Sequence, residues 1–223
     1  MISNLSVHPV VPRVMRALVI CGGGVFAWWM SMSSVLAEPG GVRLEEPRIA
    51  PDVSRYVQMS RKEGREIQAE DVLNIRATMA NHPELSEAWS SFGAYILQAS
   101  TLPPRDRELV ILRIGWLCQA AYEWSHHSIM GLNAGLSEAE VLRVTEGADG
   151  PGWSEFDRAL IRATDELHGD SFIKDETWEV LRSRYSTQQM MDLVFTVGEY
   201  NLVSMALNSF GVQLDRNRYG FPR

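Results

Sequence analysis

The sequence predicts an all-α protein, a bundle of helices, on three observations. Beyond about residue 65 no run alternates apolar and polar residues in the manner of a strand. Helix start and stop signals recur through the same region. Two segments, Glu108–Gln119 and Met190–Leu207, are apolar on almost every side, as helices buried in a bundle are. The 45% hydrophobic and 22% charged content is that of a globular chain and excludes a disordered or fibrous one.

The amino terminus reads as a targeting segment. Arg13 and Arg16 precede the apolar run Ala17–Ala37, and Val35-Leu36-Ala37 closes it with small residues where a signal peptidase needs them. The expected product is an exported protein, periplasmic or secreted, cut near Ala37. Uncleaved, the same run is long enough to serve as a membrane anchor. Residues 38–64, rich in Pro, Gly and charge, read as an exposed lead-in, and residues 65–223 as the helical domain. Residues 38–223 hold 28 acids against 19 bases, which excludes non-specific nucleic-acid binding. Of the two cysteines, Cys21 lies in the leader, so the body has Cys118 alone. It can form neither an internal disulfide nor a two-thiol redox relay.

The elements follow in order from their punctuation. A first helix is expected near 66–80. His82-Pro83 starts the next, 83–98, with proline at its first position. Helices near 105–119 and 121–134 follow, the second stopped by Gly135. Ser137-Glu138-Ala139-Glu140 is a capping box opening 137–146, Ser154 caps 154–168, and Asp175 caps 175–184. Ser186-Thr187-Gln188-Gln189 opens 187–209. A small bundle can wrap one all-apolar helix with its neighbours. A second implies a subunit interface, so a homo-oligomer is expected.

Polar residues that interrupt the buried pattern are the candidates for chemistry. Glu108 lies in the first turn of an apolar helix, and Glu123 and His127, four apart, share a face of the next. A carboxylate beside an imidazole holds its tautomer and raises its basicity, as acid–base catalysis requires. The same spacing also suits a solvated surface pair worth about 0.2–0.5 kcal/mol. Glu123, His126 and His127 cannot face one ion from one helix, so no metal is expected. Tyr122 and Trp124 suit a core or an interface, His82 a helix start, and His168 a helix end.

The stretches Leu102–Ile114, Tyr122–His127 and Gly131–Glu140 resemble the carboxymuconolactone decarboxylase family, whose fold is shared with alkylhydroperoxidase D. The resemblance runs from about Leu44 to Pro222 and includes Asn81-His82-Pro83 and Val197-Gly198-Glu199-Tyr200. It implies an all-helical fold assembled as trimers or hexamers. The family's peroxidase branch has a glutamate, a Cys-x-x-Cys twelve residues on, and a histidine four after the second cysteine. Here Glu108 and His127 match, while the cysteine positions hold Ala120 and Glu123. Thiol peroxidase chemistry needs both sulfurs.

The decarboxylase branch implies a cofactor-free lyase acting on carboxylated lactones from aromatic-compound breakdown. His127 is then the proton donor, oriented by Glu123 and Glu108, and Tyr122, His126 and Arg113 contact the substrate. Arg113 or Arg105 would hold its carboxylate. The alternatives are a hydroperoxidase using Cys118 and a non-catalytic oligomer that binds a ligand.

Overall fold

The computed structural model describes residues 41–222, so the leader and its cleavage point lie outside the described residues. Those residues form nine helices and no strand. The axis is α4 (Pro104–Leu117), whose first position is a proline and whose residues Leu109–Ile114 are all buried. After a turn in which Gln119 adopts a left-handed φ of 51°, α5 (Ala121–Asn133) returns alongside it. Gly131 sets the spacing between the two. A Cβ there would stand 2.9 Å from Leu136 Cδ1 and 3.3 Å from Leu112 Cδ1, so the pair closes tightly at the level of Glu108.

Helices α7 (Glu155–Asp170) and α9 (Thr187–Phe210) pack on α4 as well. The expected arrangement of one apolar helix wrapped by its neighbours is therefore found. Ile111, Leu112, Leu160, Ile161 and Leu193 meet in the resulting core with no solvent exposure. Helices α6 (Glu138–Arg143) and α8 (Asp175–Arg182) close the bundle's flanks, α8 against α7. Both predicted capping boxes, at Ser137 and Ser186, are complete and reciprocal. Asp175 is the first residue of α8 and not its cap. Lys174 occupies that place, with its N–H donated to Glu166 Oε2 at 2.9 Å.

The amino-terminal part departs most from expectation. The lead-in contains a helix of its own, α1 (Val53–Lys62), capped by the Asp52 side chain, which accepts from the Arg55 N–H. Ahead of it the chain is pinned to the end of α9, where the N–H groups of Arg48 and Ile49 both donate to the Phe210 carbonyl. The helix expected over 66–80 is shorter, α2 (Asn74–Met79), after a 3-10 turn at Ala69–Asp71. Its start is set from a distance: the Asn74 N–H donates to Asp215 Oδ1 at 2.8 Å, and the Asn74 amide donates to the carbonyls of Gln213 and Leu214. No local signal encodes a cap supplied across the fold. Helix α3 (Pro83–Ala94) begins at the expected His82-Pro83, and His82 Nδ1 accepts from the Leu85 N–H.

One face of α9 is in the core, through Met190, Leu193, Val197 and Leu207. Its other face carries Met191, Phe195, Leu202 and Met205, each more than half exposed in the single chain. Among the described residues no helix is long and apolar enough to cross a membrane.

Asp215 ties α2, α5 and the carboxy-terminal segment together through the Asn74 N–H, the Tyr122 hydroxyl and His126. Asp215→Ala is expected to lower the unfolding free energy by about 2–3 kcal/mol, by removing hydrogen bonds to a charged group. A denaturant midpoint unchanged from wild type would show that these bonds do not hold α2 in place.

Candidate active site

The apolar helices α4 and α5 bring the three predicted polar residues together. His127 Nδ1 donates to Glu108 Oε2 at 2.7 Å, and His127 Nε2 lies 3.2 Å from Glu123 Oε2. One imidazole is thus bracketed by two carboxylates, one from each helix. All three are buried, Glu108 completely. Glu108 Oε1 accepts from the Arg107 guanidinium, through Nε and Nη2 at 3.3 Å each. The Tyr200 ring packs edge-on against the imidazole, with centroids 4.8 Å apart.

The charge state of His127 follows from these contacts. Burial opposes a charged imidazole, yet the hydrogen bonds to Glu108 and Glu123 and their negative charges outweigh it and push the His127 pKa up to about 9. At neutral pH the ring therefore carries both protons.

A cleft of about 160 Å³ opens beside this cluster. Glu123, His127, Glu199 and Tyr200 line it with Trp89, Arg76 and the apolar side chains of Ile75, Leu97 and Val203. Glu108 does not reach it. The carboxylates consequently have different positions: Glu108 sits on the Nδ1 side of the imidazole away from the cleft, and Glu123, on the Nε2 side, lines the cleft with His127. Glu199 accepts from the Trp89 indole N–H at 2.8 Å, and its pKa is raised by burial, with a contribution from Glu123. Burial, with Glu123 and Glu108 nearby, keeps Tyr200 a neutral phenol.

Tyr122 and His126 also line the cleft, but their polar ends are engaged elsewhere. The Tyr122 hydroxyl donates to Asp215 Oδ2 at 2.6 Å, and His126 Nε2 lies 2.8 Å from the same oxygen. They offer the cleft ring surface. Burial alone would raise Asp215, but His126, Tyr122 and the Asn74 N–H hold it below the usual carboxylate range.

Arg113, expected at the substrate, is not at the cleft. Its guanidinium bonds Asp165 Oδ1 at 2.5 Å and the Val144 carbonyl at 2.8 Å, tying α4 to α7 and to the segment after α6. Arg105 is likewise occupied, by Asp157 and Glu140. A buried arginine whose partner lies 52 residues away looks the same in sequence as one awaiting a ligand. Arg76 and Trp89 carry no local signal that marks them for the cleft. Glu199 does carry one, since it is an acid inside an apolar helix, as Glu108 is.

Cys118 ends α4 and does not line the cleft. Its thiol lies 3.1 Å from Asn201 Oδ1, and burial pushes its pKa up. Among the described residues no cluster of three or more His, Cys, Asp or Glu is placed to hold a metal ion.

Residues 83–166, which contain α4, α5 and the whole charged cluster, match the model of the carboxymuconolactone decarboxylase family. This stretch is similar to the carboxymuconolactone decarboxylase family. The structure is similar to the alkylhydroperoxidase AhpD core of an uncharacterized peroxidase-related protein from Ralstonia eutropha JMP134 (TM-score 0.60, 16% identity, 80% of this chain and 94% of that one). It is also similar to an uncharacterized peroxidase-related protein from Silicibacter sp. TM1040 (TM-score 0.59, 15% identity, covering 79% and 92%). A third similar structure is a variant of the debrominase Bmp8 in complex with 2,3,4-tribromopyrrole (TM-score 0.58, 16% identity, covering 77% and 94%). At these identities the likeness is one of fold. No curated protein matches the sequence.

The raised His127 pKa has a consequence for stability. Because the folded value exceeds the ordinary value of 6.5, the stabilisation is fully present below pH 6.5 and is lost as pH rises through about 9. The melting temperature of wild type, relative to His127→Gln, is expected to fall between pH 7 and 10. An imidazole NMR titration is expected to give a midpoint well above 6.5. A midpoint at or below 6.5 would show the two carboxylates do not act on the ring as drawn.

Proposed function

We propose that the cleft performs cofactor-free acid–base chemistry on a small carboxylated or lactone-like compound, as a lyase or isomerase. One observation carries this reading: a buried imidazole clamped by two carboxylates, beside a cleft that Glu123 and His127 both line. The similarity to the carboxymuconolactone decarboxylase family supports a decarboxylation. In that reaction the bond from the substrate carbon to its carboxylate breaks and carbon dioxide leaves. The electron pair enters the adjoining carbonyl system as an enolate, and a proton is then delivered to carbon. His127 Nε2–H supplies that proton, directly or through Glu123, and Glu108 holds Nδ1–H so that the ring stays oriented. An isomerisation uses the same groups, with Glu123 taking a proton from one carbon and His127 returning it to another.

A peroxidase reading, suggested by two of the structural neighbours, lacks support in the site. Cys118 is away from the cleft, its thiolate is disfavoured, and position 123 offers a carboxylate.

Turnover is expected with a small carboxylated lactone and is followed by carbon dioxide release. His127→Gln, which keeps a hydrogen-bonding group between the carboxylates, is expected to lose about 10²–10⁴-fold in kcat. His127→Ala would leave Glu123 without its partner and Glu108 with Arg107 alone, and is the harsher variant. Cys118→Ser is expected to be unaffected. Full turnover in folded His127→Gln would end the acid–base reading, and loss in Cys118→Ser would restore the thiol route.

The same proposal includes assembly. Met191, Phe195, Leu202 and Met205 form an apolar stripe along α9 that a second copy of the chain would cover. Sedimentation is expected to show a trimer or hexamer, and Phe195→Asp with Leu202→Asp to dissociate it. A monomeric wild type at micromolar concentration would refute this.

A further inference from the structure

We propose that Arg76, held by Ser90 and Trp89, is a carboxylate-binding subsite of the cleft, and that the ligand it selects is a compact, single-ring monocarboxylate. The inference rests on reading the cleft as the active site and names the substrate class that reading leaves open.

Arg76 differs from the other inward-facing arginines in its partners. Arg105 is paired with Asp157 and Glu140, Arg107 with Glu108, and Arg113 with Asp165. Arg76 is half-buried and lines the cleft, and among the described residues no carboxylate lies within ion-pair distance of it. Its Nη1 donates to the Ser90 hydroxyl at 2.6 Å, and its guanidinium lies over the Trp89 ring, 5.0 Å from the centroid. Trp89 is fixed in turn by its indole N–H donating to Glu199. The guanidinium is therefore positioned by two neutral contacts, with its charge unanswered.

The electrostatic balance points the same way. In the catalytic cluster Arg107 and His127 offset Glu108 and Glu123, so the cluster as a whole presents little net charge. Burial moves Glu199 towards its neutral form. Arg76 is the lining cation with no acid within ion-pair distance among the described residues, and a planar guanidinium matches a carboxylate through paired N–H donors.

Size and lining define the rest of the ligand. The cleft of about 160 Å³ is close to the ~150 Å³ engineered cavity that accepts benzene. Ile75, Leu97 and Val203, with the ring faces of Tyr122 and Tyr200, offer apolar contact, and the His127 ring at the same cleft is already paired with Glu108 and Glu123. One small ring bearing one carboxylate fits both measures. The anchor differs from the arginines that the sequence suggested, because both of those are consumed by structural acids.

Benzoate and its uncharged counterpart benzamide separate charge recognition from shape. Titration calorimetry on the intact, assembled protein is expected to show benzoate binding at least tenfold tighter than benzamide. Arg76→Met is expected to bring benzoate down to the benzamide level and leave benzamide unchanged, with helicity and assembly preserved. Arg76→Lys, keeping the charge but not the fork, is expected to recover part of the difference. Ser90→Ala, which leaves Arg76 in place, is expected to weaken benzoate severalfold and serves if Arg76→Met does not fold. Absence of benzoate binding, equal affinity for the two probes, or benzoate binding untouched in Arg76→Met would each overturn the proposal. Because binding is read without turnover, an inactive cleft and a missing carboxylate subsite give different results.

Discussion

Burying Glu108, Glu123 and His127 together removes three ionisable groups from water, and each alone would be strongly unfavourable there. The cluster is tolerable because every charge has an opposite within contact distance: His127 between two carboxylates, and Glu108 between His127 and Arg107. That condition constrains the helices. Glu108 is on α4 while its partner is on α5, so the two must lie close and in one register. Gly131 permits the approach, and the apolar residues of α4, packed on three sides, keep the register from slipping. The ion cluster and the apolar core thus depend on each other.

The same cluster explains how a family framework associated with thiols can be occupied differently. A thiol pair at positions 120 and 123 would serve redox chemistry, where electrons move between sulfur atoms. Ala120 and Glu123 leave no thiol at either position, and the Glu123 carboxylate lies 3.2 Å from His127 Nε2. Glu108 and His127 suit either arrangement, since a buried glutamate orienting a histidine controls protons in both.

Around this centre the remaining polar residues are mostly committed to holding the bundle. Asp215 gathers α2, α5 and the carboxy-terminal segment, Arg113 ties α4 to α7, and Asp106 receives Tyr185 and Arg184 from the segment after α8. Such uses leave few groups free for a ligand, which gives weight to those still facing the cleft. They also show why residue type alone misassigned Arg113: in a closed interior an arginine is satisfied by whichever acid the fold delivers.

The sequence by itself determined the helical class, most helix starts, both capping boxes and the Glu123–His127 pair on one helical face, while the meeting of Glu108 with His127 was decided by how α4 packs on α5. These are legible because caps, periodicity and a polar residue in an apolar run act within a few positions of one another. Only the tertiary structure decided that α2 is capped by Asp215, that the lead-in is pinned against the end of α9, and that Arg113 belongs to Asp165. It also decided that Arg76, Trp89 and Glu199 share the cleft with His127. These facts rest on residues distant in the chain, 141 positions apart for Asn74 and Asp215. No local preference encodes such meetings, because they arise from packing apolar helices into a volume where every buried charge must find its opposite.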